Sequence, residues 1–482
     1  MSAKGFIRNF RPLEILTEEQ VVRANQNAID ILQETGVVFE SKQGLKIMEK
    51  GGCKVDYDKM RARIPPGLVT QSIKSCPSSF HMKALDPDND IILGGNTTYV
   101  GLFPGNHLVE LDTWEVRPPT IKENNDACKV ADCLENIHSA TSYAPYCDIK
   151  DVPPIMMLPV STWSRMKYFS KISRVGTIEN SHIWEIKMAQ AIGVDVYGAM
   201  EANPPLTYSG SAVECAIECA KAGFPVEGGC GGVMGGTHPV TLAGALITGM
   251  AEVMACIVLV QLVNKGNPVF ANSFNLAQNM KTGAPMFGNP NNSLFNVMWN
   301  QVWREMDIPT QNAGESPSNS KKIDYQCGYE KSMGALLSGL SGAHLIISPG
   351  GLTGELSYHP VLSIIENDMI GWMGHFLRGV LFNNDTLALD LIEKVGPVPG
   401  FYLDKEHTRK WWKNEQFIPG VADLSTYPEW IQNGKKSTLE IAKEKMMEIL
   451  DSYTCKLSEE KQQELDRILE EARKYYKEKD LL

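Results

Sequence analysis

Phe103, Tyr143, Tyr146, Phe274 and Tyr358 lie at or just beyond the ends of short β-prone runs, in company with Asn272, Glu315 and His359. Cationic side chains are nearly absent from these positions, so the set suits a cationic ligand better than a phosphate. A quaternary ammonium has no N–H to donate. It is held by the faces of aromatic rings, each contributing roughly 0.5–2 kcal/mol, and by nearby negative charge. Phe103, Tyr143, Tyr146 and Phe274 are the candidate cage, the plainer alternative being that some of them only pack. His359, beside Tyr358, is a candidate partner for a substrate carboxylate or a candidate acid. Its plainer reading is a histidine that satisfies a loop carbonyl. Thr237-His238-Pro239 precedes the most apolar run of the chain and reads as a helix start, with Thr in the capping region and Pro in the first turn. The free N–H groups of such a start are a second candidate for an anionic substrate end, although capping alone explains the motif.

Other chemistries find little support. There is no C-x-x-C, no H-E-x-x-H and no H-x-C pairing, and neither a G-x-S-x-G elbow nor a Walker loop. Cys215 and Cys219 are four apart on an expected outer helix, where core packing is the stronger reading, so no metal is assigned. The 11 cysteines form no regular framework, as in a reducing, cytoplasmic setting. The formal net charge of −11 argues against nucleic acid or an anionic membrane as a partner.

These residues need a scaffold that brings strand ends together. From about residue 96, β-prone runs at 98–102, 137–144, 172–178, 205–209, 225–229, 268–274, 309–314 and 343–348 alternate with helical periodicity at 122–134, 182–192, 213–222, 242–263, 291–306 and 329–340. Such alternation predicts a parallel sheet with helices outside. Eight units close an α/β (β/α)8 TIM barrel, whose active sites lie at the C-terminal strand ends. An open doubly wound sheet is the alternative, weakened by the lack of a G-x-G-x-x-G after any strand. The run 242–263 reads as a buried barrel helix rather than a membrane span. Residues 1–95 read as an N-terminal helical cap opened by the capping box at Thr17, 96–384 as the catalytic barrel, and 385–482 as a C-terminal helical extension. That extension is a cap, a subunit interface or a partner dock, and a homo-oligomer is expected.

The run Thr237-His-Pro-Val-Thr-Leu-Ala-Gly-Ala-Leu, then Lys281-Thr-Gly-Ala-Pro-Met-Phe-Gly, then Gln326-Cys-Gly-Tyr-Glu-Lys through Gly342-Ala-His-Leu-Ile, with Asp151-Val-Pro-Pro before them, resembles the trimethylamine methyltransferase superfamily over roughly residues 15 to 475. The resemblance implies a (β/α)8 barrel that demethylates methylamines or quaternary amines onto a cognate corrinoid protein. The founding trimethylamine enzymes carry pyrrolysine near the end of the last barrel strand. Here Ile346-Ile-Ser-Pro-Gly-Gly holds only standard residues, which is similar to the non-pyrrolysine branch and implies a betaine substrate such as glycine betaine or proline betaine. A D-x-H-x-x-G cobalamin signature is absent, so the corrinoid is expected on the partner. Two other readings stand beside this one. One is a barrel lyase or decarboxylase using Glu227, Glu315 or His359 as acid or base, and the other is a non-catalytic betaine sensor.

Overall fold

The computed structural model describes residues 5–314 and 317–482. Eight parallel strands form a closed ring: β1 (Thr97–Leu102), β2 (Ser139–Ala140), β3 (Ile172–Arg174), β4 (Val196–Glu201), β5 (Val226–Cys230), β6 (Val269–Ser273), β7 (Thr310–Asn312) and β8 (Leu345–Ile347). Pairing of β8 with β1, Leu345 opposite Tyr99, completes the circuit. One helix follows each strand: α1 (Ile121–Cys133), α2 (Met157–Tyr168), α3 (Ser181–Ile192), α4 (Gly210–Ala222), α5 (Leu242–Val263), α6 (Pro290–Arg304), α7 (Tyr325–Ser341) and α8 (Pro360–Leu377). This is the expected (β/α)8 barrel, and the doubly wound alternative falls with the closure.

One strand lies elsewhere than expected. The fourth is Val196–Glu201, which sits between β3 and β5, not 205–209. Thr207–Tyr208 instead joins Val37–Phe39 in a small separate sheet. The physical reason is visible in the residues. Pro204 and Pro205 open the second run and cannot donate to a ladder, which confines such a run to an edge. Val-Tyr-Gly-Ala-Met has its N–H groups free for both neighbours.

The barrel floor is closed by a hairpin, Ser79–Met82 with Ile91–Gly94. Its alternating Phe80, Met82, Ile91 and Leu93 point into the barrel core with Tyr99, Tyr197 and Phe270. Residues 5–95 are therefore mixed rather than purely helical. Glu18–Glu34, opened by Thr17 with its capping box to Gln20, and Pro66–Ser75 pack on the outer face of α5. That cover explains why α5 is apolar all round: it is buried against the barrel on one side and these helices on the other. Among the described residues, α5 is the one helix long and apolar enough to cross a membrane, and it lies inside the protein.

After α8 come four short helices, α9 (Asn384–Leu387), α10 (Leu389–Val395), α11 (Glu406–Glu415) and α12 (Tyr427–Gln432), then α13 (Thr438–Ser452) and α14 (Glu459–Glu478). The last two lie along the barrel: α13 against α8 and α1, α14 against α3 and α2. Leu465 and Ile468 of α14 are fully buried there.

Candidate active site

The C-terminal ends of the strands surround a cavity of about 450 Å³. Its aromatic wall consists of Phe103 after β1, Tyr143 after β2 and Phe274 after β6. The Phe103 and Phe274 rings lie 6.1 Å apart with planes at 19°. Each sits just past the last paired residue of its strand, where the chain leaves the ladder and side chains turn over the opening.

Opposite them is a charged group that the sequence reading did not foresee. Arg174, the last residue of β3, lines the cavity. Its Nη2 lies 2.8 Å from Oε1 of Glu201, and its Nε 3.2 Å from Oε2 of Glu227. Glu227 is fully buried on β5, and its Oε1 accepts a 2.6 Å hydrogen bond from Nδ2 of Asn272. Burial raises the Glu227 carboxyl above the usual range, while Arg174 pulls against that rise. Burial works against the Arg174 charge, but the two glutamates outweigh it and hold the guanidinium protonated.

Glu355 enters from the loop after β8. Its backbone oxygen accepts the Asn106 N–H at 2.9 Å, which ties that loop to the end of β1. Much of Glu355 remains in water at the rim. Desolvation of its carboxyl by the surrounding loops, then the charge of Glu201, push its pKa up to about 7. With Glu201 and Glu355 on the wall and Glu227 behind Arg174, carboxylates outnumber the single guanidinium among the described lining residues. Burial pushes the neighbouring Cys147 thiol up to about 12, so it stays neutral.

The Glu355 loop is pinned from below. Gly350, at φ +112°, passes so close to β1 that a Cβ there would collide with the Phe103 carbonyl. A buried ion pair holds it: Lys331 Nζ of α7 lies 2.7 Å from Oε1 of Glu366 of α8. Lys331 also donates to the Gly350 carbonyl, and Oε2 of Glu366 accepts the Gly350 N–H at 2.8 Å.

The sequence candidates divide. Phe103, Tyr143 and Phe274 line the cavity, and Asn272 stands behind it through Glu227. Tyr146 and Tyr358 pack on each other, rings 5.3 Å apart, in a core beside the barrel. The Tyr358 hydroxyl pairs with Ser363 Oγ at 3.0 Å. His359 is the N-cap of α8: its Nδ1 accepts the Val361 N–H at 3.2 Å, and burial lowers its pKa to about 4. A neutral imidazole already occupied in capping is no cationic carboxylate partner. Thr237 is not a helix cap either. Its Oγ1 accepts the Val233 N–H at 2.9 Å, and Thr241 caps α5. His238 is buried with Nε2 3.2 Å from Oε1 of Glu252, which also accepts the Leu206 N–H. Neither Thr237 nor His238 lines the cavity. Glu315 lies outside the described residues.

Arg174, Glu201 and Glu355 are the residues that sequence reasoning missed. Arg174 was legible, as a cation inside an expected strand. Glu201 was lost with the misplaced fourth strand, whose true last residue it is. Among the described residues no cluster of three or more His, Cys, Asp or Glu suits a metal ion.

The chain matches the family model described as trimethylamine methyltransferase (MTTB) over residues 1–475. It is 30% identical over 457 residues to a glycine betaine methyltransferase of Desulfitobacterium hafniense (strain Y51), covering 91% of this chain and 92% of that protein. It is 28% identical over 450 residues to the trimethylamine methyltransferase MttB of Desulfitobacterium hafniense (strain DSM 10664 / DCB-2), covering 91% and 89% respectively. The crystal structure of the Methanosarcina barkeri monomethylamine methyltransferase (MtmB) aligns with a TM-score of 0.47 at 10% identity, over 92% of this chain and 96% of that one.

Proposed function

The chain belongs to the trimethylamine methyltransferase family and is a methyltransferase, and on that premise we propose that it takes a methyl group from a betaine and passes it to the corrinoid of a separate protein. The observation that carries the reading is the pairing of an aromatic and acidic wall with one guanidinium in a single cavity. A betaine bears both charges these walls would meet. Phe103, Tyr143 and Phe274 offer ring faces to the ammonium, with Glu201 and Glu355 supplying negative charge. Arg174, which lines the cavity and whose Nε makes no hydrogen bond among the described residues, offers N–H donors to the carboxylate. This replaces His359 and the 237–240 segment as the carboxylate contact.

A quaternary ammonium departs as a neutral tertiary amine, so cleavage of its C–N bond requires no general acid. The acceptor supplies a cobalt(I) nucleophile when docked at the barrel mouth. The residues of this chain then have two tasks: to exclude water and to point one methyl outward. Positive charge falls as the methyl leaves, so a wall that held the cation too tightly would slow the step. A Glu355 carboxyl titrating near neutral pH keeps that hold moderate. Membership in a methyltransferase family takes the place of the lyase reading. The proposal includes a homo-oligomeric, cytoplasmic enzyme with no corrinoid of its own.

The test mixes the purified protein with a cobalt(I)-reduced corrinoid protein and a panel of glycine betaine, proline betaine, carnitine, choline and trimethylamine, following the cobalt(I) absorbance. Consumption with a carboxylate-bearing quaternary amine and not with trimethylamine is expected. Tight betaine binding without transfer, with an acceptor competent toward another enzyme, would leave a sensor.

A further inference from the structure

Helix α2 carries a guanidinium in the barrel wall, where arginine is almost never fully buried unless it is paired. Arg165 is 1% exposed. Burial works against its charge, and the charge of Glu185 on α3 supports it. Its donors go mainly to backbone carbonyls on two different strand ends. Nη1 donates to the Ser142 carbonyl and, at 3.0 Å, to the Ala144 carbonyl. Those two residues flank Tyr143, one ring of the aromatic wall. Nη2 donates to the Arg174 carbonyl at 3.3 Å. One planar group therefore spans the loop after β2 and the end of β3, with a ring of the site on one side and its cation on the other.

A second anchor completes the span. Nη2 also donates to Thr162 Oγ1 at 3.0 Å, and that hydroxyl donates to Oε2 of Glu185 at 2.6 Å. Glu185 is fully buried, and its Oε2 accepts the Gly176 N–H at 3.1 Å. Gly176 lines the cavity two residues after Arg174. It passes so close to α2 that a Cβ there would collide with the Leu158 side chain. None of Arg165, Thr162 and Glu185 lines the cavity itself. Their hydrogen bonds hold the backbone of residues that do. A guanidinium suits the task because its donors point in fixed directions, whereas an ammonium is a point charge on a flexible stem.

We infer that Arg165, with Thr162 and Glu185, is a positioning group that sets the span between Tyr143 and Arg174 and so selects betaines by the length of chain between ammonium and carboxylate. The inference rests on the proposed reading that Tyr143 meets the ammonium and Arg174 the carboxylate. On that reading the two poles of the substrate are met by residues on neighbouring strands, and one buried side chain fixes both. One methylene in a substrate is worth about 10–200-fold in discrimination. A wall held to a fraction of an ångström uses that difference, while a loose wall adjusts to each substrate and loses it.

The experiment measures methyl transfer to a cobalt(I)-reduced corrinoid protein, and binding by titration calorimetry, for glycine betaine, β-alanine betaine and γ-butyrobetaine. These carry one, two and three carbons between ammonium and carboxylate. The wild type is expected to favour one of them at least tenfold in kcat/KM and in Kd. Arg165→Lys is expected to narrow that preference to threefold or less and to raise KM for the favoured betaine at least tenfold. Its Kd for tetramethylammonium, which has no carboxylate, is expected to change less than threefold. Amide hydrogen exchange is expected to quicken over 141–144 and 175–178 and to stay unchanged on α14. Thr162→Val, which keeps both charged groups and cuts the link between them, is expected to act in the same direction and serves if Arg165→Lys fails to fold. Leu465→Ala, which weakens the chain from α14, is expected to keep the wild-type preference. Variants that lose activity equally on all three betaines, or a wild type that accepts all three equally, would overturn the inference and leave the proposed function standing. A wild type that neither binds nor demethylates any of the three would overturn that function, and the inference with it.

Discussion

Arg174 brings a positive charge to a place where the Glu201 and Glu227 carboxylates already lie within ion-pair distance of its guanidinium. Its contribution to binding is therefore best read by changing the fork and keeping the charge. Arg174→Lys retains a cation beside the buried Glu227 and removes the planar donor set. A charge-assisted hydrogen bond is worth about 1.5–3 kcal/mol, or roughly tenfold to a hundredfold. KM for a carboxylate-bearing betaine is expected to rise by that order, with KM for carboxylate-free choline or tetramethylammonium little changed. Equal losses on both kinds of substrate would remove Arg174 from carboxylate recognition. Glu355 gives a pH signature. Raising the pH through its elevated pKa removes a proton and adds negative charge beside a cationic substrate. Wild-type kcat/KM is expected to climb between pH 6 and 8, and Glu355→Gln to flatten that climb, in steady-state assays at fixed acceptor concentration. Phe103, Tyr143 and Phe274 were legible as aromatics at strand ends. Tyr146 and Tyr358 satisfied the same rule but turn into a neighbouring core, because a residue's place after a strand does not fix the path of its loop.

At the scale of elements, the loop after β8 is held by α7 and α8 together. The Lys331–Glu366 pair grips both backbone groups of Gly350, and the loop then carries Glu355 to the rim. Lys331→Met leaves the Glu366 carboxyl without its cation in a dry site, a change that costs about 3–5 kcal/mol when the orphaned group stays charged. Burial has already pushed Glu366 up to about 7, so a proton can relieve part of that cost in acid. The loss of Tm is therefore expected to be larger at pH 8 than at pH 6 by scanning calorimetry. A pH-independent loss would assign Lys331 a packing role only. The fourth strand teaches a related point. Residues 196–201 and 205–209 look alike as short β-prone runs, and the prolines decide between them only once a ladder on both sides is required.

Across the whole molecule, the C-terminal chain has two unlike halves. Residues 438–478 complete the barrel's outer layer, and Leu465 is buried against it. Leu465→Ala is expected to destabilise the full chain by about 2–5 kcal/mol, the range for a buried Leu truncation, seen as a lower urea midpoint. No change would mean that α14 is only loosely attached. Within residues 380–431 Val421 alone is buried, so substitutions at the exposed apolar positions of this segment cost the fold of one chain little. The sequence reads both halves as one helical extension and does not say which apolar faces the same chain would cover.

The spacing of strand and helix periods carried the barrel, the course of α5 and the capping box at Thr17, because each depends on neighbours within a few residues along the chain. Ring closure, the choice of β4 and the company of Arg174 depend on residues from different strands meeting at one end of the barrel. Register and loop path set those meetings, and both are properties of the closed ring rather than of any local pattern. The candidate site is accordingly half legible: its rings could be read from strand ends, while its ion cluster exists only where β3, β4 and β5 converge.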